Sequence, residues 1–462
     1  MSRKAVSAIT RRVKAQRRWY AFCLTFIGPF VKRIYRFTFD KCKIQSKTFL
    51  ALANHTQNLD PALLVIGTRR HMRFVANASL TKGFTSIFLN GCFGIIPRQK
   101  GASGDAVMAV IEQNLKEGVS VGLFPEGNRC WDGETEYISR RTATLAKNSG
   151  AALVTYKLTG GYLLRPRWAD TRRKGAMHGT LVHEYTPEEL ASMSEAEVYE
   201  AICRDLHVDA FEEQALSGAL YPGENLAAGL ERAAYLCPCC NSLGTIATEG
   251  DTVCCSHCGM KAVLNPAGRF ESETLPFTTL LEWNKFQKKW MVENASMLCE
   301  RVTVPIASDS GLKVTLLQSG CEPQVLSEDG VFSVYGDRFE IDLQGGNLAD
   351  GDSLAGDLTG GELHAAASPD GDPLAANSYG GESHAAASPN GDSCHSGTPI
   401  SERGSGRLVI PISETTGFGT FLLSHIYFNC GPRVRYQMDA RSSLPLLKYY
   451  ALWRVLSGRE YL

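Results

Sequence analysis

Residues 1–39 contain no Asp and no Glu beside ten Lys and Arg. A stretch of one sign points to an anionic surface, a membrane before anything else. The apolar run within it, residues 19–31, has thirteen residues, short of the roughly 20 that cross a bilayer. No A-x-A-like pattern follows, so the run does not read as a secretory signal. Flanked by Arg17, Arg18, Lys32 and Arg33, it reads as an interfacial anchor with Trp19 and Tyr20 at headgroup depth, or else as a first helix packed on the core. Net charge is lacking too: 48 basic and 48 acidic residues cancel, so no global field recruits nucleic acid. No Gly-x-Ser-x-Gly occurs, which excludes the serine nucleophile of that elbow. A secreted disulfide framework is also missing. Of fifteen Cys, six lie within residues 237–258 and the rest are scattered, the usage of a reducing compartment with one metal site. Residues 345–405 are nearly without aromatics and carry nine acids to one Arg, too little apolar surface for a core.

The remainder has the composition of a folded chain, 44% apolar and 21% charged in 462 residues, enough for two or three domains. Across residues 48–209, short apolar runs (FLALAN, MRFVANAS, VSVGLFPEG, GAALVTYKLTG) alternate with helical stretches (DPALLVIGTRR, GDAVMAVIEQNLKEG, RRTATLAKNSG), the pattern of an α/β sheet. Thr186 and Ser194 are expected N-caps. Trp283, Phe286 and Trp290 fall at i, i+3 and i+7, the spacing of an amphipathic helix. Beyond it, LKVTLLQSG, GVFSVYGDRFEIDL, GRLVIPIS, TFLLSHIYFNC and RVRYQMDA read as strands, closed by the apolar helix LPLLKYYALWRVL. They predict a small β-rich domain, sandwich-like or pleckstrin-homology-like. Residues 351–370 recur nearly intact at 371–390, too few units for a solenoid, and read as a disordered duplication in a loop. The expected organisation is a basic amphipathic membrane-associating N-terminus (1–44), the α/β domain (45–215), a cysteine module (232–270), and the β-rich domain (271–344 with 406–462) interrupted by an insert (345–405).

The stretch LANHTQNLDPALL begins at Leu52, where a strand hands over to a helix. Pro61 suits a first helical turn, so Asp60 is the expected N-cap. His55 leaves the strand end, and sites in open α/β sheets gather beyond the carboxyl ends of strands. A carboxylate holding one imidazole nitrogen fixes the tautomer and leaves the other nitrogen to take a proton from an alcohol. GCFGIIPR follows and ends at Arg98; LFPEGNR follows again, at the end of an apolar strand. Gly127 after Glu126 lets backbone approach a ligand, and Arg98 and Arg129 offer planar forks that match phosphate oxygens. A His–Asp pair and two Arg at strand exits describe a site for a phosphate-bearing alcohol.

NHTQNLD, GIIPR and FPEGNR, in that order and spacing, resemble the first three motif blocks of the glycerolipid acyltransferases, the lysophosphatidic acid (1-acylglycerol-3-phosphate) acyltransferases, over roughly residues 45–210. The resemblance implies a glycerolphosphate-acyltransferase-like mixed sheet flanked by helices. It implies His55 as the base that deprotonates the acceptor hydroxyl and Asp60 as its orienting carboxylate. Arg98, Glu126, Gly127 and Arg129 are implied in the acceptor-phosphate site. It also implies direct attack on the thioester of acyl-CoA or acyl-carrier protein, without an acyl-enzyme. Cys130, beside the third block, reads as a bystander. The chain departs at Gln57, where the family often has Ser, at Asn128 for Thr or Ser, and in a fourth block, LVTYKLTGG, that lacks Pro. Five basic residues within 165–174 read either as a solvated loop or as a contact for acidic headgroups or donor phosphates.

Cys237-x2-Cys240 and Cys255-x2-Cys258, fourteen residues apart, have zinc-ribbon spacing. Four thiolates close a tetrahedral shell with no open position, so the expected zinc is structural, and so small a module folds only with metal. Cys239 and Cys254 are spare, and His257 is expected to face out. With few basic or aromatic residues, the module reads as a scaffold, not a nucleic-acid reader. The sequence therefore predicts a peripheral or monotopic enzyme of phospholipid biosynthesis at the cytoplasmic face of a membrane, with membrane lipids and the acyl donor as partners. It would acylate lysophosphatidic acid. The alternatives are another lysolipid or non-glycerol acceptor, or a non-catalytic membrane- and partner-binding protein on the same fold.

Overall fold

The computed structural model describes residues 3–41, 43–77, 94–98, 104–318, 320–343, 406–421, 424–431, 433–440 and 444–459. The duplicated insert at 345–405 and residues 91–93 of the GCFGIIPR stretch lie outside them.

Seven strands form the first sheet: β1 (Thr38–Phe39), β2 (Phe49–Ala53), β3 (Arg73–Asn77), β4 (Ile96–Arg98), β5 (Val121–Leu123), β6 (Ala152–Thr159) and β7 (His178–Tyr185), in the order β1-β7-β6-β2-β5-β3-β4. Every neighbouring pair is parallel except β6 with β7. Every residue of central β2 is buried. Phe49, Ala51 and Ala53 face one apolar core, Leu50 and Leu52 the other. That period-two alternation with both faces covered explains why FLALA carries no polar residue.

The helices are α1 (Arg3–Phe26), α2 (Gly28–Ile34), α3 (Asp60–Thr68), α4 (Gly104–Lys116), α5 (Arg141–Asn148), α6 (Gly161–Leu164), α7 (Pro187–Ser192), α8 (Glu195–Leu206), α9 (Ala210–Ser217), α10 (Leu280–Glu293), α11 (Ala295–Cys299) and α12 (Leu446–Leu456). Ile111 and Leu115 of α4, Leu145 of α5 and Val198 and Ile202 of α8 cover one face of the sheet, and Leu63 and Leu64 of α3 belong to the opposite core. Thr186 and Ser194 cap α7 and α8, each closing a capping box with the Glu three residues on.

The α1–α2 pair has two faces. Gln16, Tyr20, Cys23 and Gly28 are buried, while Trp19, Phe22, Phe26, Phe30 and Ile34 are exposed. The expectation that Tyr20 sits at headgroup depth is therefore corrected. One position from Trp19 on a helix is a turn of about 100°, which carries Tyr20 to the protein side, where its hydroxyl donates to Val65 O at 3.4 Å.

A four-stranded antiparallel sheet follows, β8 (Ile246–Glu249), β9 (Thr252–Cys255), β10 (Lys261–Leu264) and β11 (Phe270–Glu271). The last sheet has seven strands: β12 (Ala307–Gln318), β13 (Gln324–Val334), β14 (Arg338–Asp342), β15 (Arg407–Pro411), β16 (Thr415–Phe421), β17 (His425–Cys430) and β18 (Val434–Ala440). They run β15-β14-β13-β12-β18-β17-β16, all antiparallel. Because β12 pairs with both β13 and β18, the strands make one continuous sheet, not the two of a sandwich. Helix α12 packs on it, with Trp453 Nε1 donating to Thr415 Oγ1 at 2.9 Å. The fold is thus a mixed α/β sheet flanked by helices, with a separate β-rich C-terminal sheet.

Candidate active site

Strands β2 to β6 are mutually parallel, so their carboxyl ends share one edge of the sheet. Asn54 fixes the exit of β2: its Nδ2 donates to Leu158 O at 2.9 Å and its Oδ1 accepts from Leu158 N at 2.7 Å. The side chain completes the ladder to β6 one residue beyond the strand, and His55 follows with its backbone fixed.

The His55 ring places Nδ1 3.0 Å from Asp60 Oδ2. The same oxygen accepts from Thr56 N at 2.6 Å and Gln57 N at 2.7 Å. An oxygen that gathers three donors orients the ring with Nδ1–H toward it, which leaves the lone pair on Nε2. The ring stacks on Phe124, 4.6 Å between centroids, and its side chain is 21% exposed, enough for an alcohol to reach. Asp60 is not the N-cap; Leu59 takes that position and Asp60 is the first residue of α3. The carboxylate caps the 55–57 turn instead. Its Oδ1 is buried without a hydrogen bond, at the positive end of the helix dipole.

The turn after β5 braces this one. Glu126 Oε1 accepts from His55 N at 2.6 Å and Oε2 from Glu136 N at 2.8 Å. At 4% exposure, with both oxygens engaged, Glu126 braces the His55 backbone. Burial pushes the Glu126 pKa well up, against the pull of the two N–H donors. Gly127 turns the chain at φ 71°, a conformation that favours glycine. Arg129 is half-buried, and its side chain has neither a hydrogen-bond nor an ion-pair partner among the described residues. Burial and the neighbouring Arg165 lower its pKa, and Asp60 opposes them. Cys130 N donates to His55 O at 3.4 Å. Burial, and then the Glu126 charge, push the Cys130 thiol up, the opposite of what a thiolate nucleophile needs. Arg98 ends β4, paired with Asn77; its side chain lies outside the described residues.

The basic stretch at 165–174 divides. Arg173 is buried and donates to Leu163 O and Leu226 O; burial pushes its pKa down to about 10. Arg167 donates to Arg129 O at 2.8 Å and to Thr420 Oγ1 at 3.3 Å, with its guanidinium 4.2 Å from the Trp131 ring centroid. Arg172 donates to Ile34 O at 2.7 Å and covers the Tyr35 ring. Three of the five are staples, so neither a wholly solvated nor a wholly ligand-facing loop describes them. Sequence reasoning missed Asn54, Phe124 and Arg167. The first two stand inside the quoted motifs; Arg167 stands inside the basic stretch, but its anchoring role carries no sequence signal, because a fastened arginine and a solvated one look alike.

At the cysteine module, the four sulfurs of Cys237, Cys240, Cys255 and Cys258 lie within 4.8 Å of one another. Cys237 and Cys258 are 3.6 Å apart, Cys240 and Cys255 3.8 Å. Two sulfurs on a tetrahedral zinc, each at about 2.3 Å, stand about 3.8 Å apart. The four cysteines could hold a metal ion such as zinc. His257 is exposed, Cys239 is exposed and Cys254 is half-buried.

A search of curated protein sequences finds no match. Among solved structures, the chain is similar to the crystal structure of the 1-acyl-sn-glycerophosphate (LPA) acyltransferase PlsC from Thermotoga maritima, at 21% sequence identity, with 40% of this chain and 79% of that chain covered and a TM-score of 0.35. Residues 36–162 match the family model described as Acyltransferase, and that span contains His55, Asp60, Arg98, Glu126, Gly127 and Arg129.

Proposed function

We propose that this chain transfers an acyl group from a thioester donor, acyl-CoA or acyl-carrier protein, to the hydroxyl of a phosphate-bearing lysolipid, lysophosphatidic acid first. The observation that carries this is the 3.0 Å pair of His55 Nδ1 and Asp60 Oδ2, which leaves Nε2 as the base, with the unpaired Arg129 side chain on the adjoining turn. His55 Nε2 takes the hydroxyl proton as the oxygen attacks the thioester carbonyl. The C–O ester bond forms, the C–S bond breaks, and the departing thiolate takes the proton back from the imidazolium. Asp60 holds the ring throughout. Arg129 and Arg98 are assigned to the acceptor phosphate, Gly127 to the close approach of backbone. The exposed stripe of α1–α2, with Lys14, Arg17, Arg18 and Arg33 exposed on the same helices, supports a peripheral attachment by which a lipid acceptor reaches the site. No helix among the described residues is long and apolar enough to cross a membrane. The cysteine site is assigned a structural zinc, whose chemistry when bound is to cross-link the module.

The test is acyl transfer to lysophosphatidic acid by the full chain and its His55→Ala variant in membrane extracts. Loss of a positioned general base lowers the rate roughly 10²–10⁴-fold. Equal activity in the two would dismiss catalysis and favour the non-catalytic reading.

A further inference from the structure

Most arginines around the site are fastened to the protein. Arg167 and Arg172 donate to backbone carbonyls, Arg173 does so twice, and Arg232 pairs with Asp170 at 2.7 Å. Arg165, like Arg129, is an exception. Its side chain is exposed and has no hydrogen-bond or ion-pair partner among the described residues, yet its backbone is pinned on both sides. Gln57 Nε2 donates to Arg165 O at 3.0 Å and to Gly161 O at 2.5 Å, and the Gln57 backbone N–H belongs to the His55–Asp60 turn. Two residues on, Arg167 grips Arg129 O. Arg165 therefore stands between the turn that carries His55 and the turn that carries Arg129.

We propose that Arg165 is a further guanidinium of the headgroup site, beside those already assigned, and that with Arg129 it binds a phosphomonoester dianion beside His55. The assignment rests on the acyltransferase reading and narrows it. The Arg165 charge acts on Arg129, and Asp60, whose charge opposes it there, is engaged with His55. Two unneutralised forks fit an anion with more than one charge. A phosphomonoester carries about −1.5 to −2 near neutral pH. A zwitterionic phosphodiester carries one negative charge and a cationic group that both guanidiniums repel. Gln57 acquires a role here too, as the positioning residue that holds the Arg165 backbone against the catalytic turn. Phosphomonoesters reach such a site from two sources, the acceptor headgroup or the ribose phosphate of coenzyme A, and the assignment made here is to the acceptor.

The experiment compares wild type, Arg165→Gln and Arg165→Lys as full-length proteins. Steady-state rates are measured with lysophosphatidic acid and with lysophosphatidylcholine, using oleoyl-CoA and oleoyl-dephospho-CoA as donors. Binding of lysophosphatidic acid is measured on the His55→Ala background. For Arg165→Gln the expected result is an acceptor KM about 10–100-fold higher, kcat within about threefold, unchanged donor KM, and a monoester-over-diester preference reduced by the same factor. Binding on the His55→Ala background weakens in parallel, and Arg165→Lys recovers part of the loss. An unchanged acceptor KM overturns the proposal. A raised donor KM that disappears with dephospho-CoA overturns it in favour of the donor phosphate. Wild type that transfers to neither acceptor, from the coenzyme A donors or from oleoyl-acyl-carrier protein, defeats the lysolipid acyltransferase reading itself, and is seen before any variant is made. Unfolding midpoints of the variants are expected to match wild type, because the side chain is exposed.

Discussion

At the scale of the residue, the site is organised by what each oxygen accepts. Asp60 spends one oxygen on His55 Nδ1 and two backbone N–H groups. Glu126 divides two oxygens between the backbones of His55 and Glu136. The two carboxylates lie in adjacent turns with different tasks: one aims the ring, the other anchors the chain that bears it. This distinction yields a prediction. Glu126→Gln puts an NH₂ where one acceptor was, facing either the His55 or the Glu136 N–H. A buried donor left unpaired costs about 1–3 kcal/mol, so the unfolding free energy of the variant falls by that amount, read as a lower denaturant midpoint, and its kcat falls with the displaced His55 backbone. Full activity with unchanged stability would show that the brace is dispensable. Gly161 makes a similar point, since a Cβ there would stand 2.1 Å from Thr56 Oγ1, inside the catalytic turn.

At the scale of the element, α1 and α2 leave a continuous apolar stripe uncovered. Trp19 and Phe22 ring centroids are 5.7 Å apart, those of Phe22 and Phe26 4.8 Å, and Phe26 and Phe30 are 67% and 64% exposed. Their neighbours on the same helices are cationic, which matches an anionic interface. Phe26→Glu with Phe30→Glu removes two side chains worth about 1.5–3 kcal/mol each on full burial. Co-sedimentation with vesicles containing anionic phospholipid is expected to drop at least about 100-fold, while the unfolding midpoint stays near wild type. Retained binding would remove the stripe from the attachment surface.

At the scale of the whole molecule, α10 ties the pieces together. Trp283 Nε1 donates to Leu236 O at 2.8 Å, and Gln287 Oε1 accepts from Tyr235 N and Leu236 N, one residue before Cys237. From the same helix Asn284 Nδ2 donates to Asp132 Oδ2 at 2.7 Å and Lys285 pairs with Glu134, in the segment that continues from Arg129. The β-rich sheet reaches the same segment through Thr420 and Arg167. A metal at the four cysteines would thus stiffen a path that ends three residues from Arg129. Cys240→Ser in the full chain is expected to lose bound zinc, measured by elemental analysis, and to lower both the unfolding midpoint and the acyl-transfer rate. Wild type without stoichiometric zinc would refute the metal assignment, and an unchanged rate in the metal-free variant would refute the coupling.

The sequence by itself determined what is local: the β2 run, the capping boxes at Thr186 and Ser194, the His55–Asp60 spacing and the paired cysteine knuckles. In each, the partners lie within a few residues or repeat with a strand or helix period, so order along the chain encodes geometry. Tertiary structure decided the rest. Whether Tyr20 faces out or into the core, which backbone N–H groups Glu126 holds, and which of the five basic side chains remain unpaired all depend on contacts between segments far apart in sequence. Arg167 with Thr420 is 253 residues apart, and Gln57 with Arg165 is 108. A charged residue has the same letter whether packing supplies it a partner or leaves it none, and only the packed chain makes that choice.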